Sequence, residues 1–204
     1  NSEESKACLR ALAQTQIDVL NADYNATNED LSNWDNDVIN YPSVTAIGNL
    51  GIQFVLATQN HPKGSGVAEG TVAVTFGTAF STAGPTPDIN WAGYLNIVVY
   101  DIPGYVGFTP SLGVSPAKGD ATFISAYAFG TGDGCGGTYT PLRTNTYNLG
   151  RTTTHEIGHY FQLEHPFHDG CSATTDCITM GDYVCDTPAI AKPSYGDNKG
   201  NCPP

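Results

Sequence analysis

The chain has 204 residues, 40% of them hydrophobic and only 14% charged, with a formal net charge of −12. That length and apolar content suffice for one well-buried domain and exclude disorder driven by charge. The acidic balance excludes a basic nucleic-acid-binding surface, and no apolar run reaches the about 18 residues that span a bilayer. The chain begins at Asn1 rather than Met, which reads as a processed or trimmed form.

From Glu3 to Leu20 the apolar residues Leu9, Leu12, Ala13, Ile17 and Leu20 recur at helical spacing, predicting a helix capped by Ser2 or Ser5. Asn25-Ala26-Thr27 is a glycosylation sequon, meaningful in a eukaryotic secretory host. Leu31, Trp34 and Val38 are spaced for a short helix or an ordered loop. The period then changes to two. "IQFVLAT" alternates Ile52, Phe54 and Leu56 and predicts a strand, as do "TVAVTF", "YLNIVVYDI", "GYVGFTP" and "DATFISAYAF". Residues 130–148 are loop by composition. A second helix is expected from near Thr152, with Thr153 and Thr154 also able to cap it. Residues 167–204 carry no long periodic run and predict an irregular segment held by disulfides or ions. Helix, strands, helix and irregular tail together predict an α+β domain with a mixed sheet.

Six cysteines, Cys8, Cys135, Cys171, Cys177, Cys185 and Cys202, include no C-x-x-C pair. They predict disulfides in an oxidising compartment rather than a cysteine zinc site, with the pairing left open.

The chemistry concentrates in "TTTHEIGHYFQLEHPF", residues 152–167. On a helix, residues four apart stand on one face, so His155 and His159 can hold one metal at about 2.0–2.1 Å per nitrogen. Glu156 sits beside the first ligand, where it can take a proton from water as general base without being a ligand. His165 lies past the expected helix end, and a sharp turn would bring it round as third ligand. The fourth position would stay open, as catalytic zinc requires. His168, three residues on, could serve as an alternative ligand, but reads first as a solvated loop histidine. Asp176, Asp182 and Asp186 offer hard oxygen ligands for calcium, and read equally well as turn formers.

The spacing H-E-x-x-H-x-x-x-x-x-H resembles that of the metzincin metalloproteases. "YNLGRTTTHEIGHYFQLEHPF" followed by "GDYVCDTPA" at 181–189 is similar to the pappalysin family in particular. The upstream "IQFVLA" and "LNIVVYDIPGYVGFTP" also look like that family's strands. The resemblance implies a metzincin-like catalytic domain: a twisted mixed sheet, a backing helix, an active-site helix and an irregular, disulfide-held C-terminal segment. It implies one domain over 1–204, with 1–161 an upper sheet and helix subdomain and 162–204 the start of a lower one. It assigns zinc to His155, His159 and His165, general base and acid to Glu156, and structural calcium to Asp182 and the Thr187 carbonyl. Tyr105, Val106, Gly107 and Phe108 would form the edge strand above the cleft, to which an extended substrate adds as a further strand.

Two departures stand out. Gln162 occupies a position where the motif usually has Gly, at a steric cost of about 1 kcal/mol if the chain turns there with positive φ. The only methionine, Met180, precedes the G-D-x-V-x-D-T-P segment, in the wrong order for the metzincin methionine turn. The turn is therefore expected in a missing C-terminal portion or on a second chain, or has been lost. The expectation is a secreted zinc endopeptidase acting on extended protein or peptide substrates. The alternatives are a catalytically silent extracellular structural or binding protein on a metzincin scaffold, and a small-molecule zinc hydrolase.

Overall fold

The computed structural model describes residues 3–33, 47–77, 87–110, 118–136, 147–171, 176–193 and 202. Trp34, Val38 and Ser2 lie outside the described residues. The chain divides into two compact units, Asn1–Asn25 with Leu50–Phe161, and Ala26–Asn49 with Gln162–Pro204.

The first unit carries the regular structure. Helix α1 spans Glu3–Tyr24, with Glu3 and Glu4 in its first turn where the helix dipole favours negative charge. Its buried face is Leu12, Ala13, Gln16, Ile17, Leu20 and Tyr24, so the apolar stripe read from the sequence continues one turn further. Three strands form a mixed sheet in the order β1-β3-β2. Strand β1 is Asn96–Tyr100, β2 is Gly107–Phe108 and β3 is Ala121–Ser125. β1 runs parallel to β3 and β2 antiparallel to it. Central β3 is buried along its whole length, because a middle strand covered on both faces exposes neither side-chain set. A short 3-10 turn, Ala126–Ala128, follows it. Helix α2 spans Arg151–Tyr160 and packs against α1, β2 and β3.

The core of this unit has two parts. Ile17, Leu20 and Tyr24 of α1 meet Phe54 and the Ile157 and Tyr160 side chains of α2. Ile102, Ala121 and Phe123 form the second part, with Val98 and Phe108 against them. Phe108 and Phe123 are paired across β2 and β3 and stack at 4.9 Å.

The predicted strand over "IQFVLAT" is corrected here. Its alternation holds, with Phe54 buried and Ile52 and Leu56 packed on the core, yet it joins no ladder among the described residues. Side chains on α1 and just past its end take the backbone groups instead. The Asn21 Oδ1 accepts from the Phe54 N–H at 2.7 Å and its Nδ2 donates to the Phe54 carbonyl at 3.0 Å. The Asn25 Nδ2 donates to the Ile52 carbonyl at 2.7 Å. Side-chain amides that satisfy a backbone locally compete with sheet pairing. "TVAVTF" is likewise irregular, joined to 57–58 by the Ala73 N–H to the Ala57 carbonyl and the Gly70 N–H to the Thr58 carbonyl.

The second unit runs mostly through turns in its described residues, with a 3-10 turn at Glu29–Leu31. The disulfides Cys171–Cys202 and Cys177–Cys185 close it, and Cys8–Cys135 ties α1 to a loop of the first unit. All six cysteines are thus paired, as the even count and the missing C-x-x-C spacing predict.

Candidate metal centre

Helix α2 starts differently from the sequence expectation. Gly150, with φ of 71°, is its N-cap residue, and no side chain caps it. A Cβ there would approach the Gln16 Nε2 to 3.1 Å and Val19 to 3.3 Å, so glycine serves both the left-handed turn and the close packing. The threonines expected as caps are spent on α1. The Thr153 hydroxyl donates to the Gln16 Oε1 at 2.8 Å, and the Thr154 hydroxyl to the Asp23 Oδ2 at 2.6 Å. Gln16 also accepts from the Gly130 N–H at 2.8 Å and donates to the Gly150 carbonyl at 3.1 Å. Arg151 pairs with Asp23 at 3.3 Å. These bonds aim the helix, because they fix its first turn against a buried partner.

One turn apart on α2, His155 and His159 bring their Nε2 atoms to 3.2 Å. Two nitrogens at about 2.05 Å from a tetrahedral metal stand about 3.3 Å apart, so the pair fits a shared zinc ion. The helix ends as the Phe161 N–H is shared between the Ile157 and Gly158 carbonyls, each at 3.0 Å. Gln162 then turns the chain with φ of 71°, the left-handed conformation the sequence predicts and usually leaves to glycine. Among the described residues, the group that could hold a metal is His155, His159 and His165, with one ligand atom from each within 4.8 Å of the others. His168 is outside that group. It faces Glu164 and Asp169 at 3.6 Å and 3.8 Å.

Glu156 is 5% exposed. Burial raises its carboxyl above the usual range, while His159 and the hydrogen bonds from Thr109 pull it back down. The Thr109 hydroxyl lies 2.9 Å from the Glu156 carbonyl and 3.2 Å from its Oε2. The stem of Glu156 lies over Gly107, where a Cβ would come within 3.0 Å of its Cγ. Nothing in the motif pattern points to Thr109, which reads in "GFTP" only as a strand end. Gln16 left a trace: it is a polar residue on the apolar face of α1, between Ala13 and Leu20.

The candidate substrate residues lie at a sheet edge. Gly107 and Phe108 form edge strand β2, and the Val106 carbonyl accepts from the Ser125 N–H at 2.8 Å. Tyr105 is 65% exposed. The Asp182 Oδ1 accepts from the Val184 N–H at 3.1 Å, and the Thr187 N–H donates to the Val184 carbonyl at 3.2 Å. Asp176 accepts from the Ile178 N–H and from the Thr179 hydroxyl, which holds its carboxyl below the usual range. Those bonds are the ones a turn former makes, one of the two roles open to it from the sequence.

Residues 134–202 match the family model Peptidase_M43, described as pregnancy-associated plasma protein-A. An extracellular metalloprotease of Arthroderma benhamiae is 30% identical over 199 residues, covering 93% of this chain and 53% of the relative. An extracellular metalloprotease of Neurospora crassa is 49% identical over 76 residues, 35% of this chain and 25% of the relative. A solved structure titled as Tannerella forsythia mature mirolysin in complex with a cleaved peptide superposes with a TM-score of 0.61 at 26% identity. That match covers 94% of this chain and 72% of the mirolysin chain. The chain spans between a quarter and about half the length of these curated relatives. Together the matches support a pappalysin-family metzincin, and the family implies a metal, typically zinc. Among the described residues no helix is long and apolar enough to cross a membrane.

Proposed function

We propose that this chain carries the catalytic centre of a secreted zinc endopeptidase, with His155, His159 and His165 as ligands and Glu156 as general base and acid. The observation that carries the reading is the buried Glu156 carboxylate one residue from His155 on α2, beside two imidazole nitrogens at metal-sharing distance. A bound zinc ion would supply Lewis-acid polarisation of a scissile carbonyl and lower the pKa of a nearby water. Glu156 takes the proton from the attacking water and returns it to the leaving amine. Its desolvation makes it a stronger base than a free carboxylate. An extended peptide lies along β2, whose outer edge offers main-chain groups for one more strand. The relatives named as extracellular support secretion, as do the three disulfides. Calcium is proposed at Asp182 and the Thr187 carbonyl, beside the Cys177–Cys185 closure.

Zinc content by elemental analysis, with cleavage of a quenched peptide library, tests the reading. The expected outcome is one zinc per chain and a loss of roughly 100-fold or more in rate for Glu156→Ala at unchanged zinc content. Stoichiometric zinc without cleavage by the full-length protein would instead favour a silent binding protein, and turnover confined to small molecules a different hydrolase.

A further inference from the structure

Edge strand β2 grips Glu156 at both ends of its side chain. Under the stem is the bare backbone of Gly107, where a Cβ would sit 3.0 Å from the Glu156 Cγ, tighter than an ordinary contact. At the head is Thr109, whose hydroxyl is 3.2 Å from Oε2 and 2.9 Å from the carbonyl of the same residue. A hydroxyl has one hydrogen and two acceptor lone pairs. Both Glu156 oxygens are acceptors, so the single Thr109 proton is shared between the carbonyl, at the shorter distance, and Oε2. The remaining neighbour is the Thr122 hydroxyl at 3.3 Å. Thr122 is fully buried on central strand β3, and its hydroxyl can donate to Thr109. That arrangement leaves the Thr109 proton for Glu156.

Thr109 is itself held tightly. Phe108 before it is in register with Phe123 of β3 and stacked on that ring. Pro110 after it has a fixed φ. A hydroxyl held on a strand edge is therefore set against a carboxylate on the helix that carries His155 and His159. We propose that Thr109 is a positioning residue for Glu156, with Thr122 orienting the Thr109 hydroxyl and Gly107 admitting the Glu156 stem. The inference rests on the endopeptidase reading for its kinetic consequence, but not for its structural one.

The test compares Thr109→Val, which keeps the shape and removes the hydroxyl, with Thr109→Ser, which keeps the hydroxyl. Thr109→Ala serves as a second hydroxyl-free variant should the valine fail to fold. In the full-length protein the hydroxyl-free variants should lose roughly tenfold or more in kcat at unchanged KM and zinc content. Serine should restore most of that loss. Crystal structures of the same variants should find the Glu156 carboxylate displaced or spread over several rotamers without the hydroxyl, and in its original place with serine. A hydroxyl-free variant with wild-type kcat, or with the carboxylate unmoved, would overturn the proposal. If the wild type cleaves no peptide, the endopeptidase reading falls, and the carboxylate positions alone decide for or against Thr109.

Discussion

Gln162 turns the chain just past the helix that carries His155 and His159, with φ of 71°. A side chain in the left-handed region places its Cβ against the following carbonyl, at a cost of roughly 1–2 kcal/mol. Glycine avoids that contact but has more freedom to lose on folding, which returns roughly 0.4–1 kcal/mol. Gln162→Gly should therefore stabilise the protein by about 0.5–1 kcal/mol, seen as a rise in the urea midpoint at unchanged slope. A loss of stability would mean that the Gln162 side chain makes a compensating contact. At this position the departure from the motif was visible in the sequence, and the structure shows the turn made despite it. Thr109 is the opposite case. It belongs to no motif, and only the packing of α2 on β2 brings its hydroxyl to Glu156.

Elements are joined here by polar side chains as much as by apolar ones. Gln16 links α1 to the first turn of α2 and to the loop at Gly130, through three hydrogen bonds made while fully buried. Replacing it by leucine keeps much of the volume but leaves the Gly130 N–H, the Gly150 carbonyl and the Thr153 hydroxyl without that partner. Each unsatisfied buried group costs roughly 1–3 kcal/mol, and local relaxation recovers part of the sum. Gln16→Leu should destabilise by about 3 kcal/mol, measured by chemical denaturation. It should also lower activity more than a surface substitution does, because the mounting of α2 loosens. The segment Ile52–Leu56 teaches the same lesson. Its period-two pattern correctly marks which side chains face the core, yet Asn21 and Asn25 take the backbone groups a ladder would use. Hydrophobic alternation reports burial; it does not report what satisfies the main chain.

At the scale of the molecule, alkaline titration reads how the core of the first unit holds its tyrosines. Burial pushes Tyr160 up to about 12 from the ordinary 10.0, and raises Tyr24 further. The Tyr24 hydroxyl donates to the Thr154 carbonyl at 3.1 Å, whereas the Tyr160 hydroxyl is buried without a hydrogen-bond partner among the described residues. In the unfolded chain both release their protons near pH 10, while the native protein keeps them. Between about pH 10 and 12 the unfolded state binds fewer protons than the native state, so stability falls as pH rises. Ultraviolet titration should resolve a tyrosine ionising near 12 that disappears in Tyr160→Phe. The same variant should soften the alkaline loss of stability. Ordinary ionisation of every tyrosine near pH 10 in the folded protein would contradict the burial of these rings.

By itself the sequence determined the candidate residues and their local frame. Histidine spacing on a helical period, the adjacent glutamate and the two flanking motifs resemble a metzincin site, and the even cysteine count points to disulfides, because these signals depend only on residues close in the chain. The buried face of α1, strands β1 and β3 and the turn at Gln162 were legible for the same reason. Tertiary structure alone decided the cysteine pairing, the threonine and glutamine that hold Glu156 and α2 in place, and the missing ladder at Ile52–Leu56. Each depends on which distant backbone or hydroxyl group comes within about 3 Å of another, and periodicity along one segment carries no information about that.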